Sequence, residues 1–249
     1  NAKVAKESKD AAEGESAGPG LAGVGGVLAL PCFVSSRIGC SRCPRLVSSF
    51  ALDPSSFRRL RPMTDYASIY SSYWADPERW GSCSLRDVGQ AADTILNTCG
   101  PGRILDVGAG MGGLVRALLR HGVDAMGLDV APRCVEEGNR LTPGRFVHGS
   151  LLDLPFEDGA FTTVVSTDVL EHLAEEDVPR ALAEMARVAR RSLFLRVATT
   201  PDRDGRWHLT VRDRAWWERQ CFLAGLRRHP LLLAAVPYES MEGEGWQAT

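Results

Sequence analysis

The chain has 249 residues, with 29 Lys and Arg against 31 Asp and Glu, a formal net charge of −2 and 44% hydrophobic side chains. That length and apolar content suffice for one domain with a substantial core. Residues 1–62 carry nine basic and five acidic side chains, whereas 63–249 carry twenty and twenty-six, so the larger part lacks the basic excess that meets phosphates and a nucleic-acid partner is not expected.

Residues 1–62 begin small and charged, turn glycine-rich and apolar over 20–34, and end rich in Ser and Arg. No hydrophobic period organises them, and the composition predicts a disordered extension ahead of a folded domain over 63–249. A targeting peptide is the competing reading of 35–62, opposed by the acidic, lysine-bearing residues in front of it. The apolar run falls short of the ~20 residues that span a bilayer, so no membrane partner is expected. Of seven cysteines, Cys32, Cys40 and Cys43 lie together, but no local histidine supplies a fourth ligand and no metal is assigned. Cys99, Cys134 and Cys221 sit beside apolar positions, as buried thiols of a reducing, cytoplasmic protein would.

From Met63 the pattern becomes regular. Tyr66, Tyr70, Tyr73, Trp74 and Trp80 precede a helix predicted over 85–97, where Val88, Ala91, Ala92, Ile95 and Leu96 recur at helical spacing. The aromatic cluster reads either as a lid over a ligand or as a hydrophobic staple for that helix. Next, Arg103-Ile-Leu-Asp-Val-Gly-Ala-Gly-Met-Gly-Gly113 runs an apolar strand into a glycine loop that opens a helix. Gly108, Gly110 and Gly112 allow the backbone to approach a ligand, and the helix N-terminus offers unpaired N–H groups. Gly108, Gly110 and Gly113 also satisfy the dinucleotide fingerprint, and Asp129, at the end of the following strand, suits a ribose diol in either case. Asp106 separates the two readings: a carboxylate there would repel a pyrophosphate and attract an amino group.

Strands predicted at 104–107, 125–129, 146–148, 163–166 and 193–198 alternate with helices at 113–121, 132–139 and 178–189, the pattern of a parallel sheet covered on both faces. A last helix is expected to begin at Thr210-x-x-Asp213, a capping-box-like spacing, and to stop at Gly225. Trp216, Trp217 and Phe222 are expected to face the core or a pocket.

These motifs resemble those of class I S-adenosylmethionine (SAM) dependent methyltransferases, in particular the type 11 small-molecule subgroup. Residues 104–112 resemble the family's first motif, Gly127-Leu-Asp129 its ribose-binding strand end, Gly149-Ser-Leu-Leu-Asp-Leu-Pro-Phe156 its adenine segment, and Val169-Leu-Glu-His-Leu173 the stretch after the fourth strand. The resemblance covers roughly residues 103–226. It implies an α/β, Rossmann-like three-layer sandwich with a mostly parallel seven-stranded sheet, a lid and helix over 63–99, a core over 100–249, and a closing hairpin in which the sequence stops within the last strand.

The resemblance also implies roles. SAM is the expected cofactor, with Asp106 at the methionine amino group, Gly108, Ala109 and Gly110 along the methionine moiety, Asp129 at the ribose, Val130 flanking the adenine, Ser150 and Leu151 at the adenine edge, and Ser166 and Thr167 approaching the sulfonium. Ser150 stands where the family often has Asp, and Asp153 either compensates or caps a turn. Tyr70, Trp74, Trp80 and Trp207 are expected to shape the pocket of a small-molecule acceptor. Positioning alone supplies roughly 7–11 kcal/mol to such a transfer, and a general base about 10²–10⁴-fold. His172 and His208 are the candidate bases; His121, His148 and His229 read as structural. Ser166-Thr-Asp-Val stands where an Asn/Asp-Pro-Pro-aromatic run would mark base-amine or side-chain amide methylation, so O-methylation of a small metabolite is the expectation. A nicotinamide-dependent oxidoreductase and a SAM-binding protein without turnover are the alternatives. Oligomeric state is not legible.

Overall fold

The computed structural model describes the strand at residues 27–34, and residues 64–79 and 87–231. Five strands form a parallel sheet: β2 (Ile104–Val107), β3 (Ala125–Asp129), β4 (Phe146–His148), β5 (Phe161–Thr167) and β6 (Ala189–Ala198). Two further strands, β1 (Val27–Val34) and β7 (Leu226–Arg228), extend it antiparallel, giving the order β4-β3-β2-β5-β6-β1-β7.

The strand and helix assignments made from periodicity hold with small shifts in their ends. Helices α2 (Val88–Cys99), α3 (Gly113–Arg120) and α4 (Pro132–Leu141) cover one face, and α5 (Val178–Val188) and α6 (Arg214–Leu223) the other. Both faces of the parallel strands are therefore covered. Along β2, Ile104 enters the core with α2 and α3, whereas Leu105 and Val107 enter the core with α5 and Trp217, as alternation in a doubly covered strand requires. Phe146 fills the space left by three absent side chains: a Cβ on Gly112, Gly127 or Gly138 would come within 2.3–2.5 Å of its ring.

Three expectations are corrected. Residues 27–34, placed within a disordered extension by composition, form β1, which pairs with β6 from Val27–Ala198 to Phe33–Ser192 and with β7 on its other side. Its apolar sequence covers what would otherwise be an open edge of β6. Helix α6 is capped by Asp213, whose carboxylate accepts from the N–H of Trp216 at 2.9 Å; Thr210 instead donates its hydroxyl to the carbonyl of Leu173 at 2.7 Å. Phe222 is 61% exposed, because the buried face of α6 is set by Arg214, Trp217 and Cys221; Trp217 is fully buried and Trp216 packs at the core's edge. The helix expected over 85–97 begins at Val88, behind the Asp87 cap. Cys99, Cys134 and Cys221 are buried free thiols. Trp80, Cys40, Cys43 and the residues beyond 231 lie outside the described residues.

Candidate functional site

A cavity of about 620 Å³ opens at the carboxyl ends of β2, β3 and β5, where ligands bind in open α/β sheets, and its size is typical of small-molecule sites. One wall is the glycine loop. The N–H groups of Gly108 and Ala109 donate to the carbonyl of Leu128 at 2.8 and 3.0 Å, tying the loop back onto β3. Asp129 completes that tie: its Oδ2 accepts from the N–H of Gly110 and its Oδ1 from that of Ala131, both at 2.8 Å. Burial raises the Asp129 carboxyl, and these backbone donors oppose the rise. Each oxygen keeps a further lone pair for a ligand hydroxyl.

Asp106 lies beneath the loop, 3% exposed and lining the cavity. Burial, and then the charge of Asp129, pushes its carboxyl up to about 7. A ligand cation at this point would restore the ionised form.

The adenine-like segment forms the next wall, with Gly149, Ser150, Leu151 and Leu152 on the cavity. Ser150 Oγ accepts from the N–H of Leu152 at 3.1 Å. Asp153 is exposed, lies outside the cavity's walls and turns the chain, its N–H donating to the carbonyl of Ser150.

Sequence reading missed what holds this segment from behind. Arg187 on α5 donates to the carbonyls of Leu154 at 2.9 Å and Phe156 at 2.7 Å, Glu184 accepts from the N–H of Leu154 at 2.8 Å, and Arg180 donates to the carbonyl of Leu152 at 2.7 Å. The Glu184–Arg187 pair also explains why the glutamate is held low and the arginine high. Charge-assisted bonds to backbone are the stronger kind. Arg187→Ala is expected to loosen residues 150–156 and weaken ligand binding at the cavity by about 1–2 kcal/mol, a factor of roughly 5–30. Titration of the variant checks this; an unchanged Kd would show that the latch does not set the segment's position.

Opposite the glycine loop, α1 (Tyr66–Trp74) places Tyr66, Tyr70, Tyr73 and Trp74 on the cavity. The described part of the aromatic cluster therefore lies on the cavity wall. Tyr66 fastens it: the hydroxyl donates to Asp177 at 2.6 Å and accepts from the N–H of Ala174 at 2.9 Å. Burial, with the Asp177 bond second, pushes that phenol up to about 12. Trp207 meets Tyr73 edge to face at 5.0 Å and lines the same space.

The far end of the cavity is built from a 3₁₀ turn at Leu170–His172 and the loop after β6. The rings of His172 and His208 meet edge to face at 5.0 Å, and Tyr70 stands against His172 at 5.8 Å. His172 Nδ1 is 3.1 Å from the carbonyl of Trp207, and His208 Nδ1 is 2.7 Å from that of Thr200. Burial, then His208, pushes His172 down to about 4. Glu171, fully buried beside them, accepts from the N–H of Ala198 at 2.9 Å and is pushed up to about 8 by burial and then by Asp168.

The structure thus brings Asp106, Gly108, Ala109, Gly110, Asp129, Val130, Ser150, Leu151, Tyr70, Trp74, Trp207, His172 and His208 onto one cavity. Ser166 is not among its walls. It is 1% exposed, and because β5 continues through Thr167, Thr167 and Asp168 occupy the rim. Asp168 is the one described non-glycine residue with positive φ, at 53°, and its carboxylate pairs with Arg196 at 3.5 Å.

Comparison with known proteins bears on the fold and the family it resembles. Residues 105–195 match the type 11 family of methyltransferase domains. A methyltransferase of Mycobacterium sp. (strain JLS) without an assigned substrate is 32% identical over 155 residues, covering 62% of this chain and 55% of its own. Ajmaline N-methyltransferase of Rauvolfia serpentina is 30% identical over 162 residues, covering 59% and 55%. The chain therefore spans about half the length of the curated relatives it matches. A chain in the solved complex of the Haloferax volcanii Trm112 methyltransferase activator with a methyltransferase superposes with a TM-score of 0.51 at 20% identity, over 66% of this chain and 77% of that one, which bears on the fold alone. The fold is that of the class I, Rossmann-like methyltransferases. Within that class, residues 105–195 are similar to the methyltransferase domains of type 11.

Proposed function

We propose that this protein transfers the methyl group of SAM to an oxygen atom of a small-molecule acceptor. The observation that carries the reading is the division of one cavity: the glycine loop, Asp106, Asp129 and Ser150 line one side, and Tyr70, Trp207, His172 and His208 the other. The first side fits SAM. Asp106 is a buried carboxyl raised by burial and by a second acid, which an ammonium would offset. Asp129 retains lone pairs for a diol, and Val130 and Leu151 offer apolar contact to a base. SAM supplies an activated methyl group, so the chain's remaining task is to present an acceptor in line with it.

The second side does that. A carbonyl oxygen only accepts, so each histidine donates from Nδ1, and a ring in its neutral form offers an Nε2 lone pair to the acceptor. Those lone pairs orient the acceptor hydroxyl, with the aromatic lid excluding water. A smaller cavity of about 350 Å³ shares Tyr66, Tyr70, His172 and Trp207 with the first and gives the acceptor's remaining bulk a place. The buried thiols accord with a reducing, cytoplasmic setting, and among the described residues no helix is long and apolar enough to cross a membrane.

Calorimetric titration of the full chain with SAM, its demethylated product and NAD tests the cofactor, and mass spectrometry of phenols, alcohols and amines incubated with SAM tests the acceptor. Micromolar binding of the first two, with methyl appearing on oxygen, is the expected result. NAD binding in place of SAM would overturn the reading, methylation of amines alone would move it to nitrogen, and SAM binding without product from any acceptor would leave a binding protein.

A further inference from the structure

We propose that Glu171, His172 and His208 bind a divalent transition-metal ion at the acceptor end of the cavity and that the acceptor's oxygen completes its coordination. The second half rests on the oxygen-transfer reading above; the first does not. One ligand atom from each of the three residues lies within 4.8 Å of the others. First-row ions hold nitrogen and oxygen ligands at about 2.0–2.2 Å, so small side-chain adjustments bring all three into one shell.

Two independent features favour a cation over an empty polar corner. The first is the orientation of the rings. With Nδ1 of His172 committed to the Trp207 carbonyl at 3.1 Å, and Nδ1 of His208 to that of Thr200 at 2.7 Å, Nε2 is the nitrogen of each ring left for a ligand. A backbone carbonyl behind each ring is how metal-ligating histidines are held. The second is Glu171. It is fully buried, and although Oε1 accepts from the N–H of Ala198 at 2.9 Å, Oε2 is buried with no hydrogen-bond partner. An acceptor left so costs the full desolvation of that group, which a bound cation would relieve. The backbone of Glu171 is itself pinned, its carbonyl accepting from the N–H of Thr210 at 2.9 Å. The carboxylate therefore sits on a rigid turn stapled to the loop that carries His208. Asp168 lines the same cavity but is engaged by Arg196 at 3.5 Å and stays outside the ligand set.

Two imidazoles and one carboxylate, with the remaining positions open to a cavity, suit zinc, cobalt, iron or manganese better than magnesium or calcium. The chemical consequence is specific. A hydroxyl would release its proton to solvent as it binds the cation; its oxygen pair would then form the new bond to the methyl carbon as the carbon–sulfur pair returns to sulfur, leaving a methyl ether and a thioether. The cation stabilises the oxygen anion before attack. Acceptors with two adjacent oxygens, which chelate, are favoured over isolated alcohols.

The test uses the full chain, stripped with a chelator and titrated with Co²⁺ by visible absorption, with Zn²⁺ as competitor and SAM binding measured calorimetrically on the same samples. One Co²⁺ per chain is expected, displaced by Zn²⁺ and weakened about a hundredfold or more by His208→Ala and by Glu171→Gln. SAM affinity retained in His208→Ala shows that the variant is folded. No Co²⁺ binding at sub-millimolar concentration, or binding that survives both variants, would overturn the proposal. SAM binding with no Co²⁺ site sinks the metal alone; a Co²⁺ site without SAM binding sinks the cofactor reading and leaves the metal standing.

Discussion

Replacing Asp106 with Asn is expected to make the protein without ligand harder to unfold at pH 8 and to abolish its affinity for SAM. The carboxyl is buried beneath the glycine loop, and burial together with Asp129 pushes it up to about 7 from 3.8. Between those values the folded protein holds a proton that the unfolded chain has released, so the group's contribution to stability falls as pH rises through the window. Above pH 7 the destabilisation is complete, on the order of 2–4 kcal/mol at about 1.4 kcal/mol per pH unit. Asn carries no charge to desolvate. Its melting temperature should exceed wild type by several degrees at pH 8, about 2–4 °C per kcal/mol, and converge with it near pH 4. A ligand ammonium reverses the preference for the proton, so wild-type affinity for SAM should weaken toward acid, whereas the variant should be poor and flat with pH. Equal melting curves at pH 8 would show that Asp106 is not under this strain, and retained SAM affinity would remove it from the amino-group site.

Gly108→Ala is expected to damage both folding and binding, for two separable reasons. The residue has φ of 74°, in the left-handed region, and a Cβ there would come within 2.5 Å of a methyl of Val169 on the turn after β5. The conformation alone costs an L-residue about 1–2 kcal/mol. Overpacking adds about 1–3 kcal/mol, because Val169 is held between the loop and the 3₁₀ turn. Adding Val169→Ala removes the colliding methyls, and the double variant should recover the overpacking part while keeping the conformational part. Chemical denaturation of the four proteins in this cycle measures the coupling. Simple additivity would mean that the loop and the turn do not meet, and with them that the two halves of the cavity are set independently.

Local signals carried most of the architecture. A strand into glycines into a helix, acids at the ends of consecutive strands, and apolar positions at spacings of two or 3.6 are written within short windows, and β2 to β6 with α2 to α5 follow them closely. The two acids of the glycine-loop side, Asp106 and Asp129, could be placed for the same reason. What escaped depends on distant partners. Thr210 and Asp213 both look like caps, and only the proximity of the Leu173 carbonyl draws Thr210 away. Of Ser166 and Thr167 only Thr167 reaches the rim, because β5 runs one residue further than its apolar pattern indicates. Arg180, Glu184 and Arg187 read as the solvated face of a helix until α5 is laid against residues 152–156. Glu171 and His208 are far apart in sequence and meet only through the stapling of the 3₁₀ turn to the loop after β6.

The position of β1 sets the order in which the sheet is finished. It is the earliest of the described strands, yet it pairs residue 27 with residue 198 and lies between β6 and β7. The parallel strands are joined by short crossovers and close few residues at a time, whereas this contact closes a loop spanning most of the protein, and non-local pairings of that kind are slow. During synthesis the ribosome releases Val27–Val34 long before its partner exists. An apolar segment waits, and Ala189–Ala198 in turn emerges with one edge open until that segment returns. The interval between the two events is the period in which this protein is most exposed to chaperones and to its own aggregation.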